Sequence, residues 1–121
     1  WVRRRSGMSA DDFRRYWLTM HAPLARASLP GLKEYRINLV TGTLEGAPFM
    51  DGVAELYWDT RDAFVQDITS RAGRRVLDDL ANFASEAGPL LAEEVPPTRP
   101  SGAPMNLPAA EDASDKHTGA R

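Results

Sequence analysis

The residue with the clearest chemical potential is His21, one of only two histidines in the chain. It follows Trp17 by four residues, so the two side chains share one face if this segment is helical. Pro23 cannot donate a hydrogen bond to the carbonyl of Thr19, and it therefore predicts a kink in that helix. An imidazole with an ordinary pKa of about 6.5 beside such an irregularity suits general acid or base catalysis. The alternative is a boundary histidine that is hydrogen-bonded to a carboxylate or to the backbone.

Aromatic side chains accompany this histidine along the chain. Trp17, Tyr35 and Trp58 are predicted to form the walls of a pocket between helix and sheet, and Asn38 or Tyr57 would supply polar contacts to a ligand. Aromatic residues at helix and strand spacing also occur as ordinary core. The pocket is favoured because each tyrosine and tryptophan brings a polar atom that needs a partner.

Several kinds of chemistry have no residues to support them. The chain has no cysteine, which excludes disulfides, thiolate nucleophiles and thiolate metal sites. We find no glycine-rich phosphate loop, no serine-centred nucleophile elbow and no second histidine to complete a metal site. The sequence therefore predicts neither cofactor nor metal, and an enzyme of this kind would work by proton transfer and positioning.

Composition is that of one globular domain: 121 residues, 42% hydrophobic and 26% charged. A formal net charge of −2 gives no reason to expect a nucleic-acid partner. The arginine clusters contain helix-spaced partners, Arg74 with Asp78 and Arg75 with Asp79, and indicate solvated surface. No apolar run approaches the roughly 18 residues of a membrane span, and no signal peptide is recognisable. These features favour a cytoplasmic protein whose start at Trp1 looks clipped.

The segment that carries His21 is predicted to be a helix. Ser9 with Asp12 resembles a capping box at its start, and Pro30-Gly31 marks its end. Its apolar face is made of residues at helical spacing: Phe13, Tyr16, Trp17, Met20, Leu24 and Ala27.

The following segments predict an alternation of strands and helix. The predicted elements are strands at 32–41 and 53–59, a helix capped by Asp59-Thr60, interrupted at Gly73 and ended by Gly88-Pro89, and a strand at 90–95. With a first strand at the start of the chain, the order β-α-β-β-α-β is that of an α+β, ferredoxin-like fold. Its antiparallel four-stranded sheet would carry the helices on one face. Because the other face is semi-apolar and needs cover, we expect a homodimer.

The end of the chain differs from the rest in composition. Residues 96–121 contain five prolines among small and charged residues, so they cannot bury enough apolar surface to offset the entropy of ordering. We expect one domain over 1–95 and a disordered tail over 96–121, which includes His117.

Four segments, in order, resemble the EthD domain family: Gly7–Leu24, Pro30–Asn38, Asp51–Trp58 and Asp78–Phe83. The resemblance covers about residues 1–95. It implies a dimeric α/β barrel in which the sheets of two subunits face each other, with a cleft between helices and sheet for a hydrophobic small molecule. The family's helix-one histidine corresponds to His21 and its strand-three aromatic to Trp58. The short first strand and the proline-rich tail depart from the family pattern.

The family takes its name from a protein needed for bacterial ethyl tert-butyl ether degradation and is loosely classed under oxidoreductase activity. Related fungal members resemble cofactor-independent decarboxylases, dehydratases or cyclases of polyketides. We therefore expect acid/base chemistry at His21 on a hydrophobic small molecule. A non-catalytic accessory protein that binds such a metabolite is the alternative. A third hypothesis is a subunit that assembles with an oxygenase system through its tail.

Overall fold

The computed structural model describes residues 1–105. Its strands are Val2–Arg4 (β1), Leu32–Leu39 (β2), Gly52–Trp58 (β3) and Ala84–Ala87 (β4). Its helices are Ala10–Tyr16 (α1), Ala22–Ser28 (α2), Arg61–Thr69 (α3) and Arg71–Asp79 (α4), with a π-helical turn at Trp17–His21 and a 3-10 turn at Leu80–Asn82. The chain divides into two compact units, residues 1–88 and 89–121. In the second unit, Thr98 pairs with Pro104 across a short turn, and His117 lies outside the described residues.

The four strands form one antiparallel sheet in the order β2-β3-β1-β4. This confirms the predicted α+β, ferredoxin-like fold. The β2–β3 register runs from Leu32 opposite Trp58 to Leu39 opposite Gly52. Alternation places one set of side chains against the helices: Tyr35, Ile37, Leu39, Ala54, Leu56 and Trp58. Among residues 1–105, no helix combines the length and the apolar character needed to cross a bilayer.

The last strand lies earlier in the chain than the sequence indicated. The predicted strand at 90–95 is wrong: this segment has no regular structure, and Leu90 is 83% exposed. β4 pairs instead with β1, with Ala87 opposite Val2. Its four residues are two alanines, a serine and a glutamate, which have low strand propensity. The apolar pattern typical of a strand is therefore absent from Ala84–Ala87, where β4 forms, and present at 90–95, where no strand forms.

The second helical region was also predicted incorrectly, because it breaks at Ser70 rather than bending at Gly73. Ser70 has extended backbone angles, and its hydroxyl caps α4 by accepting from the Gly73 amide at 2.9 Å. Gly73 is required by a close approach, since a Cβ there would lie 2.1 Å from the carbonyl oxygen of Asp67. α4 ends at Asp79, well before Gly88.

The predicted kink near Pro23 is a π-helical turn between α1 and α2. The Ala22 amide donates to the carbonyl of Trp17, five residues back. This wider turn shifts the buried face by one residue, so that His21 is buried and Met20 is 56% exposed. The predicted apolar face was therefore wrong at Met20 and at Ala27, which is also exposed, whereas Ala25 is buried. π-helical turns are rare in proteins, and those that occur often lie at functional sites.

The sheet face opposite the helices carries a network of polar and aromatic side chains. The Asn38 amide donates to the Glu55 carboxylate at 2.8 Å, and the Tyr57 hydroxyl donates to it at 3.0 Å. The Arg36 guanidinium lies 5.3 Å from the centre of the Tyr57 ring and pairs with Glu34. Dimerisation through this face stays a prediction.

Candidate functional site

His21 is buried at the end of the π-helical turn, with 4% of its surface exposed. Its Nδ1 lies 2.8 Å from Oδ2 of Asp79, the last residue of α4. The imidazole packs against Phe83, with ring centres 4.8 Å apart. Two segments far apart in sequence thus position this histidine, and the π-turn aims it at the carboxylate.

Asp79 is held by neutral donors. Its Oδ1 accepts from the Tyr16 hydroxyl at 2.6 Å and from the Asn82 side-chain amide at 2.9 Å. Burial opposes ionisation of this carboxyl, but the hydrogen bonds from Tyr16, His21 and Asn82 outweigh it and lower the pKa of Asp79. The predicted pairing of Arg75 with Asp79 is wrong, since Asp79 turns towards His21.

The ionisation of His21 follows from the same contacts. Burial lowers the pKa of the imidazole, and the Asp79 carboxylate opposes that shift only in part. His21 is therefore neutral at pH 7. We assign the proton to Nδ1, because an ionised Asp79 can only accept. Nε2 then carries a lone pair, has no hydrogen bond to residues 1–105, and is not among the fully enclosed polar atoms.

Trp17 and Tyr35 satisfy each other at the centre of the core. The indole Nε1–H of Trp17 donates to the Tyr35 hydroxyl at 2.9 Å, and both residues are buried. Burial raises the pKa of Tyr35, although the Trp17 hydrogen bond and the nearby Arg26 charge oppose the rise. Phe83 links this pair to His21, since its ring centre lies 5.7 Å from that of Trp17.

Trp58, at the end of β3, makes polar contacts of its own at the edge of the same core. Its Nε1–H donates to Oδ2 of Asp67 at 2.8 Å, and the same oxygen accepts from the Gly31 amide at 2.8 Å. The Phe64 ring packs edge-on at 5.0 Å. Trp58 lies six residues along β3 from Gly52, which abuts Trp17, so it stands about 20 Å along the strand from that contact.

The structure therefore brings together some of the predicted site residues and separates others. His21, Trp17 and Tyr35 form one continuous cluster. Trp58 packs against the same core, two residues along β3 from Leu56, which lies opposite Tyr35. Asn38 and Tyr57 lie on the opposite face of the sheet. Their roles in ligand binding stay predictions.

Sequence reasoning missed two carboxylates that hold these residues. Asp67 is 5% exposed and Asp79 has a 14% exposed side chain. A signal for Asp67 was present, because it interrupts the apolar side of its helix between Phe64 and Ile68. Asp79 resembled the second member of a surface ion pair and gave no such signal.

No metal cluster adjoins His21 in the described residues, and the described cleft has other residues as its lining. Among residues 1–105, no group of three or more histidine and acidic side chains could hold a metal ion. The described cleft of about 720 Å³ lies beside β1, and its lining includes none of the predicted site residues.

The fold is ferredoxin-like. On the inner face of its first helical region it carries a histidine that is held by a carboxylate. A sequence model of the EthD domain matches residues 5–87. The chain belongs to the EthD domain family, as the sequence analysis predicted.

A solved structure of an EthD family protein from Bacillus halodurans has a similar fold. It aligns with a TM-score of 0.65 at 23% sequence identity, over 78% of this chain and 93% of that one. This likeness concerns the fold alone. No curated protein matches the chain.

Proposed function

We propose that this EthD-domain protein acts on a hydrophobic small organic molecule by cofactor-independent acid/base chemistry, with Nε2 of His21 moving the proton. The observation that carries the proposal is the 2.8 Å contact between Nδ1 of His21 and Asp79. A carboxylate on one ring nitrogen fixes the tautomer and the orientation of the ring, and it stabilises the imidazolium that forms after proton uptake.

The ionisation states fit a general base. Because burial lowers the pKa of His21, the imidazole is neutral at pH 7 and its Nε2 lone pair can accept a proton. Asp79, whose pKa is lowered, stays ionised and holds Nδ1–H. Abstraction of a proton next to a carbonyl would make the imidazolium and an enolate. Return of the proton to another carbon would complete an isomerisation, and its delivery to a departing β-hydroxyl would complete a dehydration with release of water. In a cyclisation the enolate would attack a second carbonyl of the same molecule, and the proton would go to that carbonyl's oxygen.

The surroundings favour an apolar substrate. Phe83 packs on the His21 ring, and Trp17 and Tyr35 lie behind it, so a molecule that reached Nε2 would meet aromatic side chains and the Tyr35 hydroxyl. Trp58 would extend these walls only if a ligand reached along β3. Polyketides and xenobiotics such as ethers are the substrate classes that we include in this proposal. The family's loose classification under oxidoreductase activity would also place the reaction in small-molecule metabolism. A cytoplasmic homodimer is the expected setting.

The test is hydrogen exchange in D₂O with hydrophobic aromatic ketones and β-keto acids, read as loss of the α-proton NMR signal. We expect the protein to accelerate exchange for at least one of these compounds and His21→Ala to slow it by about 10²-fold or more. Asp79→Asn should slow it less, because the imidazole remains. His117→Ala, the matched histidine control, should leave the rate unchanged.

Wild-type rates equal to buffer across the panel, or full activity of folded His21→Ala, would overturn the catalytic proposal. A second function, non-catalytic binding of a hydrophobic metabolite, is favoured by the small exposed fraction of His21, 4%. Saturable binding of the same ketones without exchange would support that second function.

A further inference from the structure

A cleft beside β1 lies outside the cluster around His21. Its volume is about 720 Å³, within the range of roughly 300–1,000 Å³ that small-molecule sites occupy. It is lined by two stretches of chain, the end of β1 with the turn before α1, and the loop before β3: residues 3–9, Pro48, Phe49 and Asp51. Three consecutive arginines stand on one side of it.

Arg3 forms the part of the wall nearest the loop. Its Nε donates to the carbonyl of Phe49 at 3.0 Å, and its Nη1 pairs with Glu86 at 3.1 Å. Its guanidinium lies 4.9 Å from the centre of the Phe49 ring, whose other neighbour is the Trp1 ring at 4.8 Å. Arg3 and Phe49 thus form a stacked cation and ring. Phe49 remains 57% exposed.

The other two arginines are less engaged. Arg4 uses one nitrogen on the carbonyl of Met8, and Arg5 makes a single long contact of 3.5 Å with the carbonyl of Asn82. Neither forms an ion pair within residues 1–105. The acid in the lining, Asp51, accepts from the Arg4 backbone amide at 2.6 Å. Since Glu86 balances Arg3 and Asp51 balances one further arginine, the cleft keeps a positive charge.

Open space continues along the turn before α1. Gly7 has a φ of +81°, which permits this turn, and a Cβ built there would meet no atom within 4 Å. Phe49 and Pro48 supply apolar surface opposite. Guanidinium groups bind carboxylate and phosphate oxygens through paired hydrogen bonds, and an aromatic ring packs on a flat apolar body.

We propose that this cleft is a binding site for a small organic anion, an oxyanion group carried on a flat apolar body, held by Arg5, the least engaged of the three arginines, and packed against the exposed part of Phe49. The site is independent of the chemistry proposed for His21. A variant that loses anion binding in this cleft can still be assayed for proton exchange at His21, and a variant without exchange can still be assayed for anion binding.

The experiment is an NMR titration of the full chain with benzoate and phenyl phosphate, which distinguish a carboxylate from a phosphate, and with benzamide as the neutral isostere. We expect saturable shifts in the amide signals of residues 5–9 and 49–51 with one or both anions in the millimolar range. Benzamide should bind at least about tenfold more weakly, because it lacks the charge. Inorganic phosphate should compete only weakly.

Variants locate the site. Arg5→Ala should weaken binding of the anion about five- to tenfold, since it removes a charged donor with little role in the fold. Arg71→Ala removes the same charge from an exposed position on α4 and should have little effect. Phe49→Ala should weaken binding of benzoate, whereas Leu44→Ala, a fully exposed residue in the same loop, should not.

Three results would overturn the proposal. One is equal binding of benzamide and the anions, which would show that charge plays no part. Another is equal weakening by Arg5→Ala and Arg71→Ala, which would show a general electrostatic effect. The third is the absence of saturable shifts with either anion.

Discussion

Two buried polar side chains, Asp67 in α3 and His21 in the π-helical turn, differ in how the fold treats them. One Asp67 oxygen, Oδ2, accepts from two half-buried donors, the Gly31 amide and the Trp58 indole. His21 is fixed through one nitrogen only, and its Nε2 has no partner among residues 1–105. Their burial is nearly the same, at 5% and 4%. Burial alone therefore does not distinguish a group that holds the fold from one that can react.

The contacts around Asp67 explain its role. It joins three elements, because Gly31 precedes β2, Trp58 ends β3 and Asp67 lies in α3. A Cβ at Gly31 would lie 2.9 Å from the carboxylate, so the backbone approaches it as closely as hydrogen bonding requires. The Oδ2 atom of Asp67 thus holds the backbone before β2 and the indole at the end of β3 in place.

The largest effect is expected from Asp67→Ala. It leaves two half-buried N–H donors without their acceptor, so we expect a loss of about 3 kcal/mol in the free energy of unfolding. Urea titration followed by tryptophan fluorescence would measure it. Asp62→Asn, an exposed acid on the same helix, should cost less than about 1 kcal/mol. Equal effects of the two variants would contradict a structural role for Asp67.

A smaller effect is expected from Asp79→Asn. The amide keeps an oxygen for its donors, and the side chain is partly exposed, so the loss should be about 1–2 kcal/mol. Because the Asp79 carboxylate raises the pKa of His21 against the effect of burial, its removal should lower that pKa further. NMR titration of the imidazole protons measures this, with His117 as internal reference. An unchanged or raised pKa of His21 would contradict the coupling.

The smallest effect is expected in the pH dependence of stability. The pKa of His21 is lowered in the folded chain, so the unfolded chain binds more protons as pH falls below about 6.5. The stabilisation is fully present above that pH and decreases as pH falls towards the folded pKa. Between pH 7.5 and 5.5, where carboxylates scarcely titrate, urea midpoints should decline. His21→Gln should flatten this slope and His117→Gln should preserve it.

Strands with a strong apolar pattern were predictable. β2 and β3 alternate clearly, and their helix-side residues were identified, as were the caps Ser9 and Thr60. β4 was missed because its sequence, Ala-Ser-Glu-Ala, has no strand pattern and is stabilised by pairing with β1. Such pairing is a long-range contact that no local pattern reveals.

The candidate site was predictable in its residues and not in its partners. His21 and its helix irregularity follow from Trp17 and Pro23, and a carboxylate partner was among the alternatives. That Asp79 is this partner depends on where α4 ends against α1, 58 residues along the chain. The break at Ser70, which sets the direction of α4, has only a weak sequence signal.

The π-turn has a consequence for the length of the first helical region. The Ala22 amide bonds to the Trp17 carbonyl five residues back, where a regular helix would bond four residues back. The turn thus contains one extra residue. The buried faces of α1 and α2 are aligned as they would be in a regular helix that is one residue shorter. A chain with Thr19 deleted would retain Phe13 and Ala25 in the core, but its regular helix would return the Pro23 ring to a carbonyl four residues back. The extra residue in the π-helical turn therefore accommodates the proline while the packing on either side is kept.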